Sequence, residues 1–456
     1  MKSSAAWRWL GPRRETGPGA ASGAQRGRIW DDMQPCPPLA STCGAHYAPA
    51  ATASPAQPSW RATTLAEARP SRREGGRPSG EFFWIYAGLA ASLILRLSLL
   101  NHRSGDFQAF LSKWYDLFAA HGRWGAFRVM APRSVYPPLY MYLLSLSTLL
   151  PIPKLYAVKA ISIFSDFAAA WFVWRILRRE CRTERRAWAG LTAFLFLPTV
   201  VMNGALWGQC DVVYTGCFLA SLFYLLEERP GAALVAFGLA CCLKPQAVFW
   251  CPLLAGLLFS GRLSWKWLWI PPAVYVGCGL PAVAAGWSFS GMMTQMISYG
   301  KVAMAGLAFG APNWYQWVPQ KQSDVFWTIG VALTLMATAL FVLWMREGPP
   351  EHLTRGQWLV SMATLSVLFP PFLLPWMHER YFFAADVLSV LYAVCLRRGV
   401  WVALLVQFAS AFSYAPYLFQ REPVPRWLLA LCVLGAIGLV LRGLAAPWEW
   451  RSADER

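Results

Sequence analysis

From Phe82 to Leu444 the chain is a succession of apolar stretches broken by short polar junctions, and that pattern excludes folds that need water over most of their surface. A run of about 20 apolar residues crosses the ~30 Å hydrocarbon layer as a helix, which satisfies its own backbone hydrogen bonds where lipid cannot. Composition agrees: 56% of the 456 residues are hydrophobic and only 14% are charged, far from the balance of a soluble domain. The expected fold is an all-α polytopic membrane protein.

A formal charge of +18 raises the question of nucleic acid. The basic residues cluster between apolar spans, however, where they read as topology signals and headgroup contacts, so membrane lipids are expected partners and nucleic acid is not. The 11 cysteines show no paired spacing, and most lie in apolar runs where Cys behaves as a small hydrophobe. No disulfide framework and no metal site is implied. Residues 1–80 are rich in Ala, Gly, Pro, Ser and Arg, with no apolar run long enough for a core, and are expected to be a disordered basic tail on the cytoplasmic side. Residues 81–445 are expected to form the transmembrane domain and 446–456 a short cytoplasmic tail.

Spans are expected near 82–100, 157–177, 188–205, 211–226, 232–244, 246–260, 266–287, 324–345, 357–376, 381–397, 400–418 and 426–444, about twelve in all. The stretch 137–150, PPLYMYLLSLSTLL, is assigned to a short re-entrant or interfacial helix. Counting it as a span would put Arg178, Arg179, Arg182, Arg185 and Arg186 outside, against the positive-inside bias. The connections with Arg262/Lys266, Arg346/Arg355 and Arg397/Arg398 then fall inside. The long segments 101–156 and 288–323 fall outside, together with Gln209/Asp211, Lys244/Gln246 and His378/Arg380, so the polar clusters converge on one face. The paired short spans 188–205 with 211–226 and 232–244 with 246–260 meet at polar junctions, as broken helices lining a cavity do.

Each polar cluster has a plain reading beside a functional one. Asp106 precedes Phe107, Phe110, Leu111, Trp114 and Leu117/Phe118 at helical spacing. It is either the N-cap of an interfacial amphipathic helix or a general base held just outside the first span. Asp116, inside that helix, is a weaker candidate. Tyr136 opens the Pro137-Pro138 helix start. In the turn 203–211, Trp207 could stack on a pyranose face while Gln209 and Asp211 bond hydroxyls, or all three could simply build a reverse turn. Lys244 between two apolar helices needs an anion, either Asp211, Asp166 or a ligand phosphate. Gln246 follows it. Arg380 could snorkel, whereas a phosphate site would account for His378, Glu379 and Arg380 together. Asn313 and Trp314 suit a sugar or an aromatic belt.

In this order, Asp106-Phe107-Gln108, Tyr136-Pro137-Pro138-Leu139-Tyr140, the Trp207 to Asp211 turn, Lys244-Pro245-Gln246 and His378-Glu379-Arg380-Tyr381 resemble the GT-C superfamily of membrane glycosyltransferases. The likeness is narrower to a bacterial branch related to the eukaryotic second mannosyltransferase of GPI-anchor synthesis, and it covers roughly 82–444. Gln108 stands where some members carry a second carboxylate. The resemblance implies a hexose, mannose first, moved from a polyprenyl-phosphate donor to a hydroxyl of a lipid-linked or cell-envelope glycan on the outer or lumenal side. It implies Asp106 as the base, His378, Arg380 and Lys244 at the donor phosphate, and no cofactor. No nucleotide-binding glycine loop or DxD motif is present in the sequence, which fits a lipid-borne donor. A transporter or flippase of a lipid-linked sugar, or a non-catalytic scaffold, would use similar clusters.

Overall fold

The computed structural model describes residues 79–130, 136–181, 183–298, 306–319, 323–396 and 399–446. The two terminal tails, up to 78 and from 447, lie outside these residues, as do Arg182, Arg397 and Arg398. The helices are α1 (Ser79–Ser98), α2 (Ser112–His121), α3 (Ala126–Met130), α4 (Pro138–Ser147), α5 (Lys154–Glu180), α6 (Glu184–Phe196), α7 (Pro198–Val201), α8 (Asp211–Leu226) and α9 (Pro230–Cys241). Then come α10 (Cys251–Phe259), α11 (Ile270–Ala284), α12 (Phe289–Ser298), α13 (Ser323–Glu347), α14 (Arg355–Leu373), α15 (Phe383–Cys395), α16 (Val400–Phe419) and α17 (Arg426–Ala445). Two-residue strands, β1 (Ala308–Phe309) and β2 (Met377–His378), pair in parallel.

Helices lie where the apolar periodicity puts them, but only six among the described residues are long and apolar enough to cross a membrane, or seven if the α6–α7 pair counts as one bent span. The expectation of about twelve full spans is therefore not met by length. Asp211–Leu226, Pro230–Cys241 and Pro245–Phe259 are too short to cross alone, because each is cut by the junction residues the sequence already marked. Pro198 cannot donate into the preceding turn, and the chain bends by 46° there. Past it, residues Met202–Trp207 widen into a π turn that ends on Gly208 at φ +81°, a left-handed conformation that glycine adopts without strain.

Two helices form the centre. α14 is apolar all round and enclosed on all sides, with α15 against it, while α13 and α17 turn large apolar side chains such as Leu335, Leu340 and Leu431 outward. That division is the one expected of a bundle in lipid. Between α1 and α5, Arg96 Nε donates to Asp166 Oδ2 at 2.7 Å with both side chains fully buried. Asp166 is thereby occupied and is not the partner of Lys244.

The α4 helix has ten residues, about 15 Å at 1.5 Å per residue, half the hydrocarbon thickness. It packs on α2, α5 and α11, in keeping with an element that does not span. The connections expected on the inner side gather at one end of the bundle: Arg179 pairs with Glu227, Arg355 with Glu228, and Arg262 Nη1 donates to the Met345 carbonyl at 2.7 Å. The polar clusters gather at the other end, around one cavity.

Candidate active site

The cavity has a volume of about 560 Å³, within the range of small-molecule sites. Asp106, Tyr136, Gln209, Gln246, His378 and Arg380, all singled out in the sequence, line it. Six positions from five separate segments thus meet in one hollow.

Asp106 is not a helix cap. Its side chain makes no capping bond; Ser104 Oγ instead accepts from the Phe107 N–H at 3.2 Å and donates to the Trp207 carbonyl at 2.6 Å. With the cap supplied two residues earlier, the carboxylate is free to turn into the cavity. There Oδ2 accepts from Trp207 Nε1 at 3.0 Å and from Gln209 Nε2, and Oδ1 accepts from Tyr417 Oη at 2.9 Å. A carboxylate has about four lone-pair sites. Three are taken, and one on Oδ1 remains for a ligand hydroxyl.

Tyr417 went unnoticed in the sequence because it sits inside the apolar run of α16. It stacks on Trp207 with ring centroids 4.4 Å apart and 18° between planes. Gly105 makes this approach possible, since a Cβ there would stand 2.8 Å from Tyr417 Oη. Removing the hydroxyl in Tyr417→Phe loses one hydrogen bond, about 0.5–1.5 kcal/mol, so turnover should fall roughly 2- to 10-fold. The Michaelis constants should move little. Steady-state kinetics of Tyr417→Phe beside Gly105→Ala checks this, because both changes disturb the same contact.

Trp207 has two readings in the sequence, a stacking platform for a sugar or a part of a reverse turn. Its ring is fully buried, with Tyr417 on one face and the Arg380 guanidinium 5.3 Å from the ring centroid, so it offers ligand no open face. Its work is to donate to Asp106. Lys244 and Asp211 also lie behind the cavity wall: Lys244 Nζ meets Asp211 Oδ1 at 2.6 Å, and Asn203 Nδ2 donates to Asp211 Oδ2 at 2.8 Å. Of the anions open to Lys244 in the sequence, the structure selects Asp211. Asn313 and Trp314 do not reach the cavity either. Their side chains donate to the carbonyls of Pro371 at 3.4 Å and Leu373 at 3.0 Å and so fasten their segment to the end of α14. Asp116 forms an exposed pair with Lys154 at 2.9 Å, away from the cavity.

Lys159, in the second expected span, is fully buried and donates to the carbonyls of Leu99, Leu100 and His102 at 2.8–3.1 Å. It closes the C-terminal end of α1 and so fixes the stem from which Asp106 projects. The sign in the sequence was a lysine within an apolar span.

Arg380 is the hub. Its Nη1 lies 3.3 Å from Glu379 Oε1 and 3.9 Å from Asp106 Oδ2, and its Nε lies 4.0 Å from Asp211 Oδ2. The Nε atom is buried without a hydrogen-bond partner. His378 is held by β2 and by the Phe309 ring, 5.0 Å away and nearly parallel. Burial first, then the Arg380 and Lys244 charges, push its pKa down to about 3. Its imidazole is therefore neutral near pH 7 and presents a hydrogen bond rather than a charge. Gln246 Oε1 is buried with no hydrogen-bond partner in a side chain that lines the cavity.

A helical bundle that gathers an oriented carboxylate, a guanidinium hub and a neutral imidazole on the wall of one otherwise largely apolar cavity defines a polytopic membrane protein with a candidate ligand site inside it. Residues 135–371 match the model of glycosyltransferase family 87, a GT-C-type family of membrane glycosyltransferases. The match spans just over half the chain, and the protein belongs to that family; it is an integral membrane glycosyltransferase. No curated protein matches the chain. The matched stretch includes Tyr136, Gln209, Lys244 and Gln246 but ends before His378 and begins after Asp106.

Proposed function

We propose that the protein is an inverting transferase that moves a hexose, mannose first, from a polyprenyl-phosphate donor to a hydroxyl of a lipid-linked or cell-envelope glycan, with the cavity on the outer or lumenal face. The observation that carries the reading is Asp106: a carboxylate turned into the cavity, fixed by three donors, with one lone pair on Oδ1 left over. In that reading Asp106 takes the proton of the acceptor hydroxyl as its oxygen bonds to the anomeric carbon. The bond from that carbon to the phosphate oxygen breaks, and the electron pair leaves with the lipid phosphate. Arg380 receives the phosphate through its planar fork, His378 adds a neutral donor, and Gln246 Oε1 accepts from a sugar hydroxyl. Lys244 acts from behind, holding Asp211 and the Gln209 amide, whose Oε1 is 3.5 Å from Lys244 Nζ.

Incubating the purified protein with a panel of polyprenyl-phosphate hexoses and scoring release of the lipid phosphate tests the donor class. No turnover of any member would remove it. Arg380→Ala should weaken donor binding by the worth of a charged hydrogen bond, about 1.5–3 kcal/mol, or roughly 10- to 150-fold. Titrating donor and acceptor separately checks it, and an equal loss for both substrates would count against a phosphate role. If the chain were a flippase of lipid-linked sugar, Asp106→Asn would spare substrate movement while no transfer would be seen in either form.

A further inference from the structure

Glu379 is the one charged residue of the cavity wall that the reading above leaves without work. It is almost wholly buried, lines the cavity, and follows His378 directly in the 3-10 turn Glu379–Phe382. Its Oε1 has Arg380 Nη1 at 3.3 Å, and its Oε2 has His378 Nδ1 at 3.9 Å, beyond hydrogen-bond reach. Gly310, with φ +82°, leaves room beside it: a Cβ there would stand 3.0 Å from Glu379 Oε2.

The charges around this wall do not balance for an anionic ligand. Three carboxylates, Asp106, Asp211 and Glu379, face two cations, Lys244 and Arg380, and His378 is neutral. Ionised together, these groups already leave one negative charge in excess, and a phosphodiester adds another in a largely buried place. Excess buried charge of one sign is costly, and the usual resolution is that one group takes a proton. Asp211 is a poor candidate because Lys244 and Asn203 hold both its oxygens. Asp106 is a poor candidate because three donors hold it. Glu379 has one cationic donor, Arg380 Nη1 at 3.3 Å, beside a hydrogen bond from its own backbone N–H, and burial pushes its pKa up. The other groups that face it are Asp106 across Arg380, Tyr414 and Ser413 on α16, and, beyond Tyr414, Asp386 of α15. None of these supplies a second cation.

The geometry points to Glu379 as a substrate-contacting residue: it takes up one proton from solvent as the donor phosphate enters and, as a neutral acid, donates a hydrogen bond to a phosphate oxygen. That bond strengthens as the sugar departs and charge builds on the phosphate, and the proton returns to solvent after the lipid phosphate leaves. Arg380, relieved of its ion pair with Glu379, then serves the phosphate and Asp106 alone. The inference rests on the polyprenyl-phosphate reading of the donor.

The test is the pH dependence of donor kcat/KM between pH 5.5 and 9 for the wild type, Glu379→Gln and Glu379→Ala, using the best polyprenyl-phosphate hexose of the panel. Gln is isosteric and keeps a neutral N–H donor that cannot titrate. The wild type should lose about tenfold per pH unit on an alkaline limb, as loss of one required proton gives. Glu379→Gln should stay within about tenfold of the wild-type maximum and lack that limb, whereas Glu379→Ala should fall roughly 10- to 100-fold at all pH values. Elution of both variants on size exclusion in detergent shows that they are folded. An alkaline limb that survives in Glu379→Gln, or a Gln variant as poor as Ala, overturns the inference while leaving the donor reading in place. A wild type that turns over no member of the panel overturns both.

Discussion

Asp106→Asn will reduce turnover by about 10²–10⁴, the usual cost of losing a general base, while the protein stays folded. The hydrogen bonds around the side chain make this a clean substitution. Trp207 and Gln209 both donate to Oδ2, so an amide oxygen placed there satisfies them; the new NH₂ then faces Tyr417, whose hydroxyl can rotate to accept. What disappears is the unoccupied lone pair on Oδ1, and with it the basicity proposed for the acceptor proton. Full activity of the purified Asn variant with a polyprenyl-phosphate sugar would show that Asp106 is not the base. An unfolding midpoint far below that of the wild type would show instead that the carboxylate serves structure.

The largest effect on stability is expected at Lys244. Its pair with Asp211 is enclosed, with side-chain exposures of 2% and 0%, and breaking a buried pair from one side costs about 3–5 kcal/mol because the other charge stays behind. Lys244→Ala should therefore lower the unfolding midpoint in detergent markedly, and the double change Lys244→Met with Asp211→Asn should recover most of it. If Lys244 instead served the donor phosphate directly, Lys244→Ala would spare the midpoint and raise only the donor KM. The outcome separates a residue that supports the cavity wall from one that touches ligand.

The sequence made the all-α membrane class and the convergence of the polar clusters legible, because polar side chains at membrane depth are few and each needs a partner. Asp106, His378 and Arg380 were separable from the spans by that criterion alone. Span number was less legible. Pro198 breaks the run 188–205, which reads as one apolar span, while the runs bounded by Pro230 and Pro245 give helices of only 12–15 residues, so a count by hydropathy overstates the number of full crossings. Roles were harder still. Trp207 and Asn313 have the chemistry of sugar contacts, yet burial turned one toward Asp106 and the other toward a backbone carbonyl, and nothing local in the sequence distinguishes those fates. Tyr417 was invisible because its partner lies 311 positions away.

Ser104 gives the arrangement a portability requirement. The hydroxyl that starts the helix and the bare Cα beside it are what let the neighbouring acid look sideways instead of along its own backbone. Anyone grafting this acid onto another membrane scaffold, or scanning genomes for its counterparts, should carry the Ser104-Gly105-Asp106 triplet as one unit. Moved without its two predecessors, the aspartate would fold back to begin the helix itself.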